Sequence, residues 1–196
     1  MISPNGAQVF DVDAIKAAVT QLLRAVGEDP TREGLVDTPR RMAEMYQEIL
    51  QGTQQDPREV LQVGFDEDHQ EMVIVRDIPF YSLCEHHLLP FHGNFHVGYV
   101  PRGRVVGISK LARVVEIFAR RLQLQERLTS QIADILMQEL QPAGVAVVGT
   151  AEHLCMTMRG VKKPGAKVVT SANRGVFRVN EATRLEFFAL LGDERR

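Results

Sequence analysis

From Asp11 onward apolar residues recur every three or four positions: Ile15, Ala18, Val19, Leu22, Leu23 and Val26 form one stripe, and Gly27 supplies a stop. A second stripe of Met42, Met45, Tyr46, Ile49 and Leu50 precedes Gly52, with Thr38 read as the N-cap and Pro39 as the first helical residue. Two amphipathic helices this close in sequence predict a helical hairpin. Residues 54–70 are polar apart from Val60, Leu61, Val63 and Phe65, and predict no defined element. Branched residues over 72–78 predict a strand running toward Cys84. Residues 95–100 and 105–108 flank Pro101-Arg102-Gly103 and predict a hairpin.

Farther along, Ser109 is placed as the cap of a helix bearing Leu111, Val114, Val115, Phe118 and Leu122. Another helix starts near Glu126, carries Leu128, Ile132, Ile135, Leu136 and Leu140, and ends before Pro142. Residues 145–148 and 154–159 predict strands. In the second, His153, Cys155, Thr157 and Arg159 share a face opposite Leu154, Met156 and Met158. After the turn-rich stretch 160–165, strands are expected at 167–171 and 176–179. A last helix opens with a capping box of Thr183 and Glu186. This order predicts an α+β fold with a largely antiparallel sheet. It divides into a loose tail over residues 1–10, a helical hairpin over 11–52 and a main domain over 53–196.

Composition narrows the class. In 196 residues, 44% hydrophobic and 24% charged content is that of a globular protein able to bury a sizeable core. A net charge of −2 gives no electrostatic reason to bind nucleic acid. The lack of a run of about 18 apolar residues gives none to enter a membrane. With two cysteines and no signal-like stretch, a cytoplasmic location is expected, where metal binding is a commoner use of thiols than a disulfide.

Those cysteines sit in the most chemical parts of the chain. Cys84-Glu85-His86-His87 places a thiol and an imidazole three apart, on the same side of a helical turn. His153-Leu154-Cys155 adds the second thiol beside another histidine. Cys84, His87 and Cys155 together make a three-ligand zinc set with a fourth tetrahedral position left for water, the pattern of a catalytic site. The residues alone leave a plainer reading beside it, since cysteine is also a common buried apolar residue. His69, His92 and His96 read as surface or satisfied core residues, and Arg40 and Arg41 as solvated charges.

Five ordered segments extend the case. Glu33-Gly34-Leu35 with Thr38-Pro39-Arg40-Arg41-Met42 comes first, then the Cys84 cluster and Gly107-Ile108-Ser109-Lys110-Leu111-Ala112-Arg113. Gln123-Leu124-Gln125-Glu126-Arg127-Leu128 and His153-Leu154-Cys155 with Met158-Arg159-Gly160-Val161 complete the series. In these segments the chain resembles the GTP cyclohydrolase I family, from about Asp11 to its end. The resemblance implies the tunnelling fold, in which antiparallel sheets of several subunits join into a barrel with helices outside. It also implies a homodecamer of two five-membered rings with active sites between subunits. The implied reaction is zinc-dependent conversion of GTP to 7,8-dihydroneopterin triphosphate with release of formate, the entry to tetrahydrofolate and pterin synthesis.

Residue by residue, the resemblance implies zinc on Cys84, His87 and Cys155, with His86 and His153 as acid–base groups and Ser109 near the ribose. It implies that Glu126 meets the guanine, that Gln125 is a further substrate-binding residue, and that Arg41, Lys110, Arg113 and Arg159 meet the triphosphate. Without the resemblance, Glu126 reads as a solvated charge and Ser109 as a helix cap. Two rivals remain. One is the deazaguanine nitrile reductase of the same fold, which uses a cysteine nucleophile and NADPH. The other is a non-enzymatic module in which His86 or His153 completes a structural zinc site.

Overall fold

In the computed structural model the chain is described from residue 10 to residue 192. The tail expected over residues 1–10 therefore lies, apart from Phe10, outside the described residues. The chain forms two compact units, one up to Gln55 and one from Asp56.

In the first unit, α1 (Val12–Ala25) packs against α2 (Thr38–Ile49), as the paired stripes predict. Asp11 caps α1 by accepting a hydrogen bond from the Ala14 amide at 2.9 Å. At α2 the cap falls one residue earlier than expected, on Asp37. Its carboxylate caps no amide and instead pairs with Arg41 at 3.4 Å and Arg40 at 3.7 Å. A 3₁₀ turn, Gln51–Gln54, follows.

The second unit begins in the stretch for which the sequence predicts nothing. Asp56 caps the five-residue α3 (Pro57–Leu61), and β1 (Gly64–Asp66) follows. Then come β2 (Val73–Cys84), β3 (Pro90–Val100), β4 (Arg104–Val106) and α4 (Ile108–Ala119). Next are β5 (Leu122–Gln123), α5 (Gln125–Leu140), β6 (Gly144–His153) and α6 (Leu154–Thr157). The chain closes with β7 (Lys167–Gly175), α7 (Val176–Val179) and α8 (Glu181–Leu191).

The main sheet has the order β5-β2-β3-β6-β7 and is antiparallel except where β5 joins β2 in parallel at Leu83–Leu122 and Cys84–Gln123. With its helices this is the expected α+β architecture. The expected hairpin across Pro101–Gly103 does not form: β3 already has β2 and β6 on its two edges, and β4 pairs with β1 instead. A bulge in β2 between Val75 and Ile78 puts Asp77 at a φ of 55°, and its amide donates to His96 Nδ1 at 3.2 Å.

One face of the sheet carries the core. Phe80, Phe91 and Phe95 interlock there, with ring centroids 5.7 Å apart for the first pair and 4.6 Å for Phe80 and Phe95. Leu111, Val114, Val115 and Phe118 of α4 and Leu128, Ile132 and Leu136 of α5 bury against them. Each such side chain removed from water is worth about 1.5–3 kcal/mol. A smaller cluster of Ala146, Val148, Phe177 and Phe187 joins β6 to α7 and α8.

Four local expectations change. Ser109 lies inside α4, one residue past its start. The cap is Gly107, so no hydroxyl bonds the helix amides. That helix ends at Ala119, leaving Leu122 to β5. Residues 176–179 are helical because Gly175, at a φ of 57°, takes the chain out of β7. The last helix is capped by Asn180, which accepts from the Thr183 amide at 3.2 Å, in place of Thr183 itself.

Candidate active site

β2 delivers the first ligand candidate. Its last residue is the buried Cys84, after which the chain turns at once: the amides of His87 and Leu88 both donate to the Cys84 carbonyl, at 3.3 and 2.8 Å. Leu88, at a φ of 53°, closes that turn and lets β3 start back at Pro90. The i to i+3 geometry read from the sequence is therefore present, at a strand end in place of a helix.

The second cluster is built differently from expectation. His153 ends β6, and residues 154–157 are the short helix α6 in place of a strand. An extended chain would put Cys155 on the same sheet face as His153; the helical turn instead swings it toward Cys84. The Cys84 and Cys155 sulfurs and a His87 ring nitrogen lie within 4.8 Å of one another. Bond lengths of roughly 2.0–2.3 Å imply about 3.5–3.8 Å between ligand atoms on a tetrahedral zinc. The trio fits such an ion with a small contraction, and two thiolates with one imidazole are the donors that zinc prefers. Among the described residues this group comprises these three, and neither His86 nor His153 belongs to it.

Burial and the facing Cys84 thiol push the Cys155 thiol up from its ordinary range, partly opposed by the charge of Arg159. Arg159 also places Nη1 at 3.2 Å from His87 Nε2, which brings one of the expected triphosphate residues to the edge of the trio. The exposed His86 ring meets the edge of His87, 6.2 Å between centroids.

His153 is held on two sides. β3 and β6 pair Phe91 with His153, and the two rings stack almost in parallel, 4.5 Å apart at 6°. Its Nε2 is 2.8 Å from Gln125 Oε1. Half-burial lowers the pKa of the imidazole, while the carboxylate of Glu126 acts in the opposite direction. Glu126 itself is exposed in the first turn of α5.

Gln125 is 1% exposed and stands at the centre of a buried polar chain. Its amide nitrogen lies 3.1 Å from the Gly149 carbonyl, 3.0 Å from the Val168 carbonyl and 3.1 Å from the Thr170 hydroxyl. The Thr129 hydroxyl donates to the Gln125 carbonyl at 2.7 Å and lies 2.7 Å from Thr170 Oγ1. Phe91, Thr129 and Thr170 were not singled out from sequence. A strand-opening aromatic and two threonines carry no local signal: the β3–β6 register sets Phe91 on the histidine, and the packing of α5 on β6 and β7 joins the threonines to Gln125.

Ser109 and Arg113 are exposed and Lys110 is half-buried on the first turns of α4, with no hydrogen bond to the other candidates among the described residues. Arg41 belongs to the first unit, where Asp37 holds it.

Comparison with known proteins adds to this geometry. The family model described as GTP cyclohydrolase I matches residues 15–192. A protein of Carboxydothermus hydrogenoformans named GTP cyclohydrolase 1 is 62% identical over 187 residues, which cover 95% of this chain and 97% of that protein. One of the same name from Pelotomaculum thermopropionicum is 64% identical over 184 residues, 93% of this chain and 98% of its own length. A third, from Thermoanaerobacter pseudethanolicus, is 57% identical over 188 residues, 95% of this chain and all of that protein.

Proposed function

The chain belongs to the GTP cyclohydrolase I family, and from that premise we propose that it converts GTP to 7,8-dihydroneopterin triphosphate and formate. The observation that carries this reading is the three-ligand group of Cys84, His87 and Cys155 with His153 beside it and outside it. Three ligands and a free histidine suit a catalytic centre, whereas a structural module would draw a fourth side chain into the group.

Zinc held by the trio would supply Lewis acidity, which makes water a stronger nucleophile near neutral pH. The protein's own groups do the rest. His153 gives a proton to N7 of guanine, so that C8 becomes electrophilic enough for attack. The Glu126 carboxylate accepts the N1–H and the exocyclic amine, a pairing that only a two-oxygen acceptor offers. Gln125 lies beside that carboxylate at the guanine end, and Ser109 lies near the ribose. His86, on the same turn as the ligands, serves the later proton transfers of ring opening and formate release. Arg41, Lys110, Arg113 and Arg159 neutralise the triphosphate.

Those basic groups come from distant segments, and we read them as converging across subunits of a decamer made of two pentameric rings. In such a ring the sheet of each chain would contribute to a shared barrel of the tunnelling fold. No helix among the described residues is long and apolar enough to cross a membrane, and the proposed place of action is the cytoplasm. Incubation of the zinc-loaded protein with GTP tests the reading: neopterin fluorescence and one formate per turnover support it, and their absence at full zinc content overturns it.

A further inference from the structure

We infer that Gln125 is a positioning residue that fixes which ring nitrogen of His153 hands over the proton. The inference rests on the reading of His153 as the proton donor and adds the atom. It starts from the amide of Gln125, whose two ends are told apart by their surroundings. Gly149 and Val168 present backbone carbonyl oxygens, which only accept, at 3.1 and 3.0 Å. The atom facing both is therefore the NH₂ group. Turning the amide over would set its oxygen against two carbonyl oxygens inside a site that is 1% exposed, where an unmade hydrogen bond is costly.

The threonines agree with this polarity. Thr129 spends its hydroxyl hydrogen on the Gln125 carbonyl at 2.7 Å, so in the 2.7 Å contact between the two hydroxyls it is Thr170 that donates. Thr170 then turns a lone pair toward Gln125 Nε2, 3.1 Å away. The two amide hydrogens are shared among these three acceptors, and no donor in the chain is set against another donor.

Gln125 Oε1 is left as an acceptor, 2.8 Å from His153 Nε2. Nε2 must therefore carry a hydrogen, and it does so in the neutral ring as well as in the cation. Proton transfer to guanine N7 then removes the hydrogen from Nδ1: the Nδ1–H bond breaks, the N7–H bond forms, and the ring is left neutral with Nε2–H still donating to Gln125. The parallel stack on Phe91, at 4.5 Å, holds the ring plane in which this distinction is made. A histidine without the amide would divide its population between two tautomers, one of them with its hydrogen on the wrong edge.

The test uses the intact zinc-loaded protein labelled with ¹⁵N in its histidine rings. Solid-state ¹⁵N spectra, with His153→Gln subtracted to isolate one ring, should show His153 with a protonated Nε2 and a bare Nδ1. A bare Nε2 with a protonated Nδ1 overturns the inference without reference to turnover or to any variant's folding. Gln125→Met, which removes the acceptor at similar length, should keep about one zinc per chain and a KM for GTP within about threefold. Its kcat should fall by at least tenfold, with both tautomers in the ring spectrum. Gln125→Glu keeps an oxygen for Nε2–H and should recover part of that loss. A folded, zinc-replete Gln125→Met protein with the parent kcat overturns the positioning role. A parent rate in His153→Ala would remove the underlying reading of His153 as donor, an outcome the ring spectrum keeps separate.

Discussion

Arg127 clasps Glu85 through both guanidinium ends, one of them at 2.9 Å, although the two residues are 42 positions apart. Glu85 is flanked by the candidate ligands, and Arg127 lies on the first turn of α5 next to Gln125 and Glu126. The pair thus ties the turn bearing two candidate metal ligands to the helix start that bears the groups proposed for guanine. Groups that hydrogen-bond a metal ligand directly typically matter by about 10- to 100-fold in metal affinity or activity, and a pair that braces the ligand turn without bonding a ligand should fall at the low end of that range. Arg127→Ala should weaken zinc retention by about tenfold in competition with a chelator. The guanidinium holds the Glu85 carboxyl below the usual carboxylate range. The pair's contribution is therefore complete above about pH 4.3, the unfolded value, and is lost as pH falls through the folded one. The difference in thermal stability between the metal-free parent and Arg127→Ala should accordingly vanish in acid and return near neutrality.

Cys155→Ala should lose both metal and turnover, because two donors do not hold zinc against the chelating capacity of the medium. Elemental analysis of the purified variant decides the matter: a full zinc content would remove Cys155 from the ligand set.

His153→Ala should keep its zinc and lose turnover by about 10² to 10⁴, the usual worth of a positioned general acid. GTP affinity should hold, since Glu126 and the basic residues are untouched. Loss of zinc together with activity would instead make His153 a ligand.

Gly93 of β3 lies opposite Ala151, and a Cβ at that position would overlap the Thr150 carbonyl oxygen of β6. Backbone cannot yield as a flexible side chain would. Gly93→Ala should cost about 3 kcal/mol or more, lowering the Tm by roughly 6–12 °C. It should also move the β6 end that carries His153. An unchanged melting curve would show that the two strands slide freely there.

The proposed convergence of basic groups across subunits makes assembly measurable. Light scattering of the active protein should give the mass of about ten chains of 22.0 kDa. A monomer with full activity would show that one chain completes the site.

How much of this was legible in the sequence depends on the range of the forces involved. Helical stripes are local, and α1, α2, α4 and α5 appear within one or two residues of where the stripes put them, apart from the Leu122 overrun. The Cys84–His87 spacing survives as a turn because i to i+3 proximity needs only a local reversal. Alternation failed after His153, where His153, Cys155, Thr157 and Arg159 imitate a two-sided strand over a segment that coils as α6. The false hairpin at Pro101–Gly103 failed for a different reason: pairing partners are chosen by the whole sheet, and β6 had already taken the edge of β3. The Gln125–Thr129–Thr170–His153 chain needed three elements to be in register before any of its bonds existed.

The ladder that sets Phe91 against His153 also sets a timetable for synthesis. On a ribosome adding about 5–20 residues per second, Cys155 emerges 68 residues after His87, a delay of roughly 3–14 s. Throughout that interval Cys84 and His87 are a pair without their third member, and β3 has no β6 to close against. Loading of an ion by the three candidate ligands would thereby wait for a nearly finished chain, and for those seconds the nascent Cys84 thiol has neither its partner thiol nor the closed sheet around it.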